Sequence, residues 1–211
     1  MSATLLVIAK EPVPGRVKTR LCPPCTPAEA AALAAAALAD TLAAGDAAAR
    51  GGRRVLVLDG RPGRWLPAGW EVVPQRGDGL AERLAAAFAD AGGPAFLVGM
   101  DTPQATPPML AEGLAALDRA EAAFGPALDG GYWSIGLRAA DPVVFAGIPM
   151  SEPYTGAAQR ARLAALGLIT ADLAPLRDVD DIAAAHAVAA AAPGTRFAAA
   201  LRAVGPLRVA A

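Results

Sequence analysis

Four cationic side chains lie in the loop that follows the first apolar stretch of the chain. They are Lys10, Arg16, Lys18 and Arg20, and the same loop contains Gly15. A loop of this kind after the first strand of an α/β sheet is suited to hold phosphate oxygens. Its spacing matches neither a Walker A loop nor a G-x-G-x-x-G fingerprint. A solvated basic loop is the alternative, but the position after the first strand favours phosphate binding.

A lone carboxylate ends the most apolar predicted strand. Residues 95–99 carry no charge, and Asp101 follows two positions later, ahead of Thr102 and Pro103. The uncharged run predicts a strand buried on both faces, and the residue before a proline resists helix formation. Ligands of open parallel sheets bind outside the carboxyl ends of the strands. Asp101 is therefore a candidate site residue, and capping of a turn is its alternative role.

Further carboxylates follow later predicted strands. Asp129 precedes Gly130 and Gly131, and Asp178 and Asp180 precede the last helical region. Three aspartates in four residues there exceed what one helix cap needs. Cations for phosphate together with carboxylates for a hard divalent ion predict a nucleotide–Mg²⁺ site.

The hydrophobic periodicity and the turn residues predict how the chain positions these side chains. Thr26, Pro27 and Glu29 predict a capping box at the start of the first helix, with Leu33, Leu38 and Leu42 on its buried stripe. Asp78 is interpreted either as the cap of the second helix or as a site residue. The strands are predicted at 4–9, 53–58, 71–73, 95–99, 121–126, 132–137 and 168–173, and the helices at 27–44, 79–91, 106–117, 155–166 and after 181, with a break at 193–194.

This alternation predicts an α/β fold with a mostly parallel central sheet and helices on both faces. The 211 residues are predicted to form a single domain. The composition is 55% hydrophobic but only 5% aromatic, because alanine supplies much of the apolar content. The helices should therefore pack closely while burying little area per residue.

Charge and hydropathy narrow the class of function. There are 19 basic and 20 acidic residues, a net charge of −1, which gives no electrostatic basis for binding nucleic acid or an anionic membrane. No signal peptide or membrane span is predicted, so a cytoplasmic location is expected. A homodimer is compatible with the sequence.

The cysteines form a C-P-P-C sequence, Cys22 to Cys25, which could be redox-active or half of a zinc site. Zinc would need two more ligands, and the only histidine, His186, lies far along the chain in an alanine-rich helix. Two incidental loop thiols are therefore the preferred interpretation.

Five motifs, taken together and in this order, resemble a known family. They read K-E-P-V-P-G-R-V-K-T-R-L, R-G-D-G-L-A-E-R-L, G-M-D-T-P, G-P-A-L-D-G-G-Y-W-S-I-G and D-V-D-D-I. The chain resembles a largely uncharacterised bacterial family of nucleotide-diphospho-sugar-transferase-like proteins, often labelled glycosyltransferases and in some cases linked to arsenosugar biosynthesis. The resemblance covers about residues 4–190, leaving 191–211 as a helical tail. It is more distantly similar to 2-phospholactate or phosphoenolpyruvate guanylyltransferases and to molybdenum-cofactor nucleotidyltransferases.

The resemblance implies a GT-A (Rossmann-like) three-layer sandwich and a role for each motif. It places Lys10, Gly15, Arg16, Lys18, Arg20 and Asp78 around the nucleotide, and Asp129, Gly130, Gly131 and Tyr132 beside the acceptor. Asp101 and Asp180 would hold Mg²⁺ or Mn²⁺, with Asp178 ranked below Asp180. Asp101, Lys18 and Asp129 would be the catalytic residues, Asp129 as acceptor ligand or general base.

Two positions depart from the family pattern. Gln104 stands where the family has an acidic residue, and Met150-Ser151 stands where it has Trp-Ser. The first weakens the case for a second carboxylate beside Asp101. The second leaves the identity of the acceptor open.

Several functions follow as hypotheses. The leading one is a metal-dependent transferase that moves a sugar from a nucleotide-diphospho-sugar to a small-molecule acceptor. A nucleotidyltransferase that uses an NTP and a small phospho-acid, releasing pyrophosphate, is the alternative. A non-catalytic nucleotide-binding module ranks third, and a thiol-redox protein that uses Cys22 and Cys25 ranks last.

Overall fold

The computed structural model describes residues 2–204 of the chain as seven strands and six helices. The strands are β1 (Thr4–Lys10), β2 (Arg54–Asp59), β3 (Glu71–Pro74), β4 (Ala95–Gly99), β5 (Ala122–Pro126), β6 (Tyr132–Leu137) and β7 (Thr170–Asp172). The helices are α1 (Pro27–Ala48), α2 (Leu80–Ala91), α3 (Pro107–Ala116), α4 (Thr155–Ala165), α5 (Ile182–Ala191) and α6 (Arg196–Val204).

The strands form one sheet in the order β3-β2-β1-β4-β6-β5-β7. All pairs are parallel except those of β6, which runs antiparallel to both β4 and β5. A short turn reverses the chain between β5 and β6, whereas parallel neighbours require a long crossover. The predicted α/β fold with a mostly parallel sheet is confirmed. The last strand is shorter than predicted, since only Thr170–Asp172 pairs with β5.

Successive residues of the central strands are buried on opposite faces of the sheet. In β1, Leu5 and Val7 join the core beneath α1 and α3, while Leu6 joins the core beneath α2 and α4. A third cluster fills the space between α1 and the pair α5 and α6. The alternation of side chains along a strand therefore places helices on both faces.

Helix α1 is the central helix of one face. Its three leucines, Leu33, Leu38 and Leu42, are fully buried, as the periodicity predicted. In the described part of the chain it is also the one helix long and apolar enough to cross a membrane. It contacts β1, α3 and α6, and more than half of its apolar window is buried, so it serves as a core helix of this fold.

The predicted capping box of α1 is present. The Thr26 hydroxyl accepts from the Glu29 N–H at 3.3 Å, and the Glu29 carboxylate accepts from the Thr26 N–H at 2.7 Å. We expect Thr26→Ala to lower the free energy of unfolding by about 1 kcal/mol, since it removes an acceptor for a helix N–H. The change is measured from the midpoint of urea unfolding.

Thr106 provides a matched control. It also precedes a proline and occupies the N-cap of α3, but its side chain makes no capping hydrogen bond. Thr106→Ala should therefore cost clearly less than Thr26→Ala. Equal losses would show that the capping box contributes nothing measurable.

The topology brings distant segments to one edge of the sheet. The carboxyl ends of β1 and β4 lie next to the start of the antiparallel β6. The connection that follows β7 also reaches this edge, because the Val179 N–H donates to the Asp101 carbonyl at 3.0 Å. Of the predicted C-terminal helical tail, α6 is described, and residues 205–211 lie outside the described residues.

Candidate functional site

A pocket of about 860 Å³ opens at this edge of the sheet. Its volume lies in the range of small-molecule sites. Most of the candidate site residues line it: Lys10, Arg16, Lys18, Arg20, Asp78, Asp101, Asp129, Gly131, Tyr132 and Asp180. Gly15 and Gly130 are not among the lining residues and belong to the backbone turns beside them. One cavity thus contains the cationic loop and the carboxylates that were predicted separately.

The cationic loop is anchored at one apolar side chain. The Arg16 N–H donates to the Val13 carbonyl at 3.0 Å, and Val17 is buried in the core beneath α1. A 3₁₀ turn, Thr19–Leu21, follows at once and buries Leu21. The loop therefore follows the sheet edge closely, and its charged side chains are held at the pocket.

Lys18 and Asp101 both line the pocket and form an ion pair. The Lys18 Nζ lies 2.6 Å from Asp101 Oδ1 and also donates to the Val179 carbonyl. The Lys18 side chain is only 8% exposed, while that of Asp101 is 39% exposed. Lys18 also has a left-handed backbone, with φ of 49°, which is unfavourable for a residue with a Cβ. A strained, buried lysine is characteristic of a functional site.

Asp178 is a half-buried carboxylate of the pocket. Its Oδ1 is buried without a hydrogen-bond partner among the described residues. Burial, followed by the negative charges of Asp101 and Asp129, raises the pKa of Asp178 to about 7. Asp178 therefore lies near the other carboxylates, and a cation bound beside it would stabilise its charged form. The ranking of Asp180 before Asp178 as a metal ligand stays a prediction.

Asp180 has a different environment. Its Oδ2 lies 3.1 Å from a terminal nitrogen of Arg20, and both side chains are well exposed. In the same segment the Asp181 side chain accepts from the Ala184 N–H at 2.7 Å and caps α5. One aspartate of the three thus caps the helix, as predicted, and the other two line the pocket.

The carboxylates are suitable ligands for a hard divalent cation, although they do not form a complete set of metal ligands. Within residues 2–204 no three His, Cys, Asp or Glu side chains already surround one point as metal ligands. The orphaned oxygen of Asp178 and the accessible carboxylate of Asp101 nevertheless fit Mg²⁺ or Mn²⁺ in chemistry. Mg²⁺ is usually bound by one or two carboxylates together with substrate phosphates and water. The protein therefore needs to supply only some of the metal ligands.

The turn between β5 and β6 is locked to the segment before α4. Asp129 Oδ1 accepts from the Gly131 N–H at 2.9 Å, and the Gly130 carbonyl accepts from the Gly156 N–H at 2.8 Å. At Gly130 φ is 93°, and a Cβ there would lie 1.8 Å from the carbonyl oxygen of Pro153. The turn therefore requires glycine for both its conformation and its closeness to Pro153.

Tyr132 lines the pocket with a mostly buried ring. Its hydroxyl lies 3.9 Å from the sulfur of Met150, and its ring packs against Phe124. Burial raises the pKa of the Tyr132 phenol well above its usual value. The phenol is therefore neutral at physiological pH and serves to shape the pocket or to form hydrogen bonds.

The capping interpretation of Asp78 is wrong. The N-cap of α2 is Gly79, which offers no side chain, and Asp78 itself donates its N–H to Glu82 at 2.9 Å. The Asp78 side chain is exposed and lines the pocket.

Two charged residues of the pocket, Arg83 and Glu152, were not singled out from the sequence. Arg83, on the first turns of α2, donates to Asp59 at 3.1 Å and to the Gln75 side chain at 3.0 Å. Arg83 belongs to the R-G-D-G-L-A-E-R-L motif, and this motif could have indicated from the sequence that Arg83 lies at the site. Glu152 lines the opposite side from a loop with no periodicity, so the sequence carried no signal for it.

The two cysteines lie away from the pocket lining and are not joined in a disulfide. Cys25 is buried in the cluster beneath α5 and α6, and burial raises the pKa of its thiol, which makes the thiol less reactive. His186 is exposed on α5. These observations support the interpretation of the cysteines as incidental thiols.

Comparisons with known proteins concern the family and the fold of the chain. A family model described as "Uncharacterized protein conserved in bacteria (DUF2064)" matches residues 28–152. No curated protein matches the chain by sequence. Among solved structures, a candidate nucleotide-diphospho-sugar transferase from Desulfovibrio desulfuricans G20 is 27% identical, with a TM-score of 0.86, and the alignment covers 96% of this chain and 95% of that one.

Two more distant structures share the fold. A CMP:2-keto-3-deoxy-manno-octonic acid synthetase complexed with CTP is 14% identical, with a TM-score of 0.58 and coverage of 90% of this chain and 98% of that one. A manganese complex of Rv0371C from Mycobacterium tuberculosis H37Rv is 22% identical, with a TM-score of 0.54 and coverage of 89% and 97%. At these identities the likeness concerns the fold alone.

Proposed function

The chain belongs to the bacterial DUF2064 family, and we propose that it is a metal-dependent transferase that takes a sugar from a nucleotide-diphospho-sugar. The observation that carries this proposal is that a cationic loop and several carboxylates line one pocket, with Lys18 and Asp101 in contact. Cations suit the diphosphate, and carboxylates suit a divalent ion and an acceptor hydroxyl. The similarity to the Desulfovibrio candidate transferase over nearly the whole chain supports it.

The loop residues would bind the nucleotide. Lys10, Arg16, Lys18 and Arg20 line the pocket on the side of β1, where their charges can contact the phosphates. Asp78 and Arg83 line the same side from α2 and the loop before it. Of these cations Lys18 is the most buried, so its charge would be the least screened by water and the most effective on the diphosphate.

Asp101, together with Asp178 or Asp180, would hold Mg²⁺ or Mn²⁺. When bound, the ion neutralises negative charge on the diphosphate as it leaves. The manganese complex of a protein with this fold is consistent with such a site. The Lys18 ammonium, in contact with Asp101, compensates the charge of that carboxylate.

The chemical step moves one sugar. The oxygen of an acceptor hydroxyl bonds to the anomeric carbon while the bond from that carbon to the diphosphate oxygen breaks. The nucleoside diphosphate leaves with the electron pair, and Lys18 and Arg16 stabilise the charge that develops on it. The hydroxyl proton passes to a carboxylate, and Asp129 is proposed for this role because it is fixed at the pocket by its bond to Gly131.

Nucleotidyl transfer is the second candidate, because four cations in the first loop also suit a triphosphate. In that reaction an acceptor phosphate oxygen attacks the α-phosphorus of an NTP, and pyrophosphate leaves with the electron pair. A synthetase of this fold has been crystallised with CTP.

Thermal unfolding of the full chain with a panel of ligands distinguishes the two functions. The panel contains UDP-, GDP-, ADP- and CDP-linked sugars and the corresponding NTPs, each with and without Mn²⁺. A ligand at a hundred times its Kd adds about 2.7 kcal/mol of stability. For a domain of this size that corresponds to a rise of roughly 5–10 °C in Tm.

We expect one nucleotide-diphospho-sugar to raise the Tm, and only in the presence of metal. A rise confined to an NTP would favour nucleotidyl transfer instead. If no ligand of the panel raised the Tm with or without Mn²⁺, both proposals would be wrong.

A further inference from the structure

The cations that line the pocket come from one side of it. They are Lys10, Arg16, Lys18, Arg20 and Arg83, at the end of β1, in the loop that follows it and on α2. The opposite side, which we call the acceptor half, is formed by the β5–β6 turn with the start of β6 and by the segment that leads into α4. Its lining residues are Asp129, Gly131, Tyr132, Trp133, Met150, Ser151, Glu152, Pro153 and Thr155. None of these lining residues is a lysine or an arginine.

The two carboxylates of the acceptor half, Asp129 and Glu152, are without ion pairs. Asp101 and Asp180 are paired with Lys18 and Arg20, whereas Asp129 and Glu152 pair with no lysine or arginine in residues 2–204. Negative charge left uncompensated inside a pocket repels anions and attracts hydrogen-bond donors and cations. A metal held by Asp101 and Asp178 would still leave Asp129 and Glu152 uncompensated.

These two carboxylates lie on segments that are fixed to each other. The Glu152 N–H donates to the Thr155 hydroxyl at 3.0 Å, and that hydroxyl donates to the Pro149 carbonyl at 2.6 Å. The Gly156 N–H then ties this segment to Gly130, next to Asp129. The two segments therefore cannot easily separate to admit a negatively charged group.

We infer that the acceptor is an uncharged or cationic molecule that offers a hydroxyl or amine and carries no phosphate, and that Asp129 and Glu152 select it. The inference rests on the proposed transfer from a nucleotide-activated donor and specifies the second substrate of the same site. Hydroxyl and ammonium groups donate hydrogen bonds that two unpaired carboxylates can accept. A phosphate so close to those carboxylates would be rejected by like charge. The charge of the acceptor half therefore disfavours a phospho-acid acceptor.

The test uses acceptors that differ only in a phosphate. The probes are glucose and glucose 6-phosphate, glycerol and glycerol 3-phosphate, and ethanolamine and phosphoethanolamine. Each is supplied with the donor and metal that raise the Tm, and the product is quantified by mass spectrometry. We expect the unphosphorylated member of a pair to be preferred in kcat/KM by at least about tenfold.

A charge reversal strengthens the test. Glu152→Lys should reduce this preference by about tenfold or more, because a cation then faces the acceptor. Glu112→Lys makes the same change of charge at an exposed position of α3 outside the pocket and should leave the preference unchanged.

The outcomes separate the two proposals. Preference for the phosphorylated member, or transfer to no probe by a protein that binds a donor, would overturn the inference while leaving donor binding intact. If Glu152→Lys left the preference for the unphosphorylated acceptor unchanged, Glu152 would have no role in selecting the acceptor. Failure of every nucleotide-diphospho-sugar to raise the Tm would instead overturn the proposed function.

Discussion

Replacing Lys18 with methionine is expected to lower kcat/KM for the donor by about a hundred- to a thousandfold. Methionine keeps the length of the side chain and removes the ammonium group that lies 2.6 Å from Asp101. In the proposed reaction this ammonium would stabilise the charge on the departing diphosphate, in a position where water screens it little. The loss should fall mainly on kcat, because the charge develops as the bond breaks.

The control for this variant is Arg119→Met. Arg119 is also a cation, but its side chain is exposed and lies in the connection before β5, at the edge of the sheet opposite the pocket. Circular dichroism and urea unfolding show whether either variant is misfolded. The Asp101 side chain is 39% exposed and can be solvated when its partner is removed, so a folded Lys18→Met protein is expected. If Lys18→Met were as active as Arg119→Met, Lys18 would have no role in transfer.

Gly130→Ala should cause the largest loss of stability among the pocket variants. The residue has φ of 93°, and a Cβ would lie 1.8 Å from the Pro153 carbonyl oxygen, which is a backbone atom. Left-handed strain and overpacking together predict a loss of roughly 2–5 kcal/mol in the free energy of unfolding. Because Asp129 is next to this residue, we also expect transfer to the acceptor to fall by at least about tenfold.

Gly147→Ala separates the two causes. Gly147 also has a left-handed backbone, with φ of 70°, but a Cβ there would meet no atom within 4 Å. In this variant only the backbone strain should act, so the free energy of unfolding should fall by roughly 1–2 kcal/mol. The transfer activity should be unchanged. Urea unfolding measures both variants. Equal losses would mean that the contact between Gly130 and Pro153 does not hold the turn.

Most of the secondary structure could be predicted from local sequence. The bounds of β4 and β6 are those predicted, and the capping box of Thr26 and Glu29 is present. An uncharged run between glycines and a Thr-Pro-x-Glu start are signals contained within a few residues. The role of Asp78 was ambiguous from the sequence, because an aspartate just before a helix gives the same local pattern whether or not its side chain caps that helix.

The arrangement of the site depended on contacts between distant segments. The Lys18 ammonium contacts the Val179 carbonyl, 161 positions along the chain, and no spacing in the sequence encodes that pairing. Glu152 enters the pocket because the segment before α4 is tied to the β5–β6 turn. Neither contact has a local pattern, so neither could be read from residue types.

The sequence by itself determined the α/β class, the order of the elements and the chemical types at the strand ends. These properties depend on periodicity, caps and turn residues, which act over a few positions and need no knowledge of the rest of the chain. Only the tertiary structure decided that β6 inserts antiparallel between β4 and β5, that one oxygen of Asp178 is buried without a partner among the described residues while Asp180 faces Arg20, and that the cations of the pocket come from one side of it. Those properties arise when separate segments share one space, where burial and neighbouring charges set the behaviour of each group.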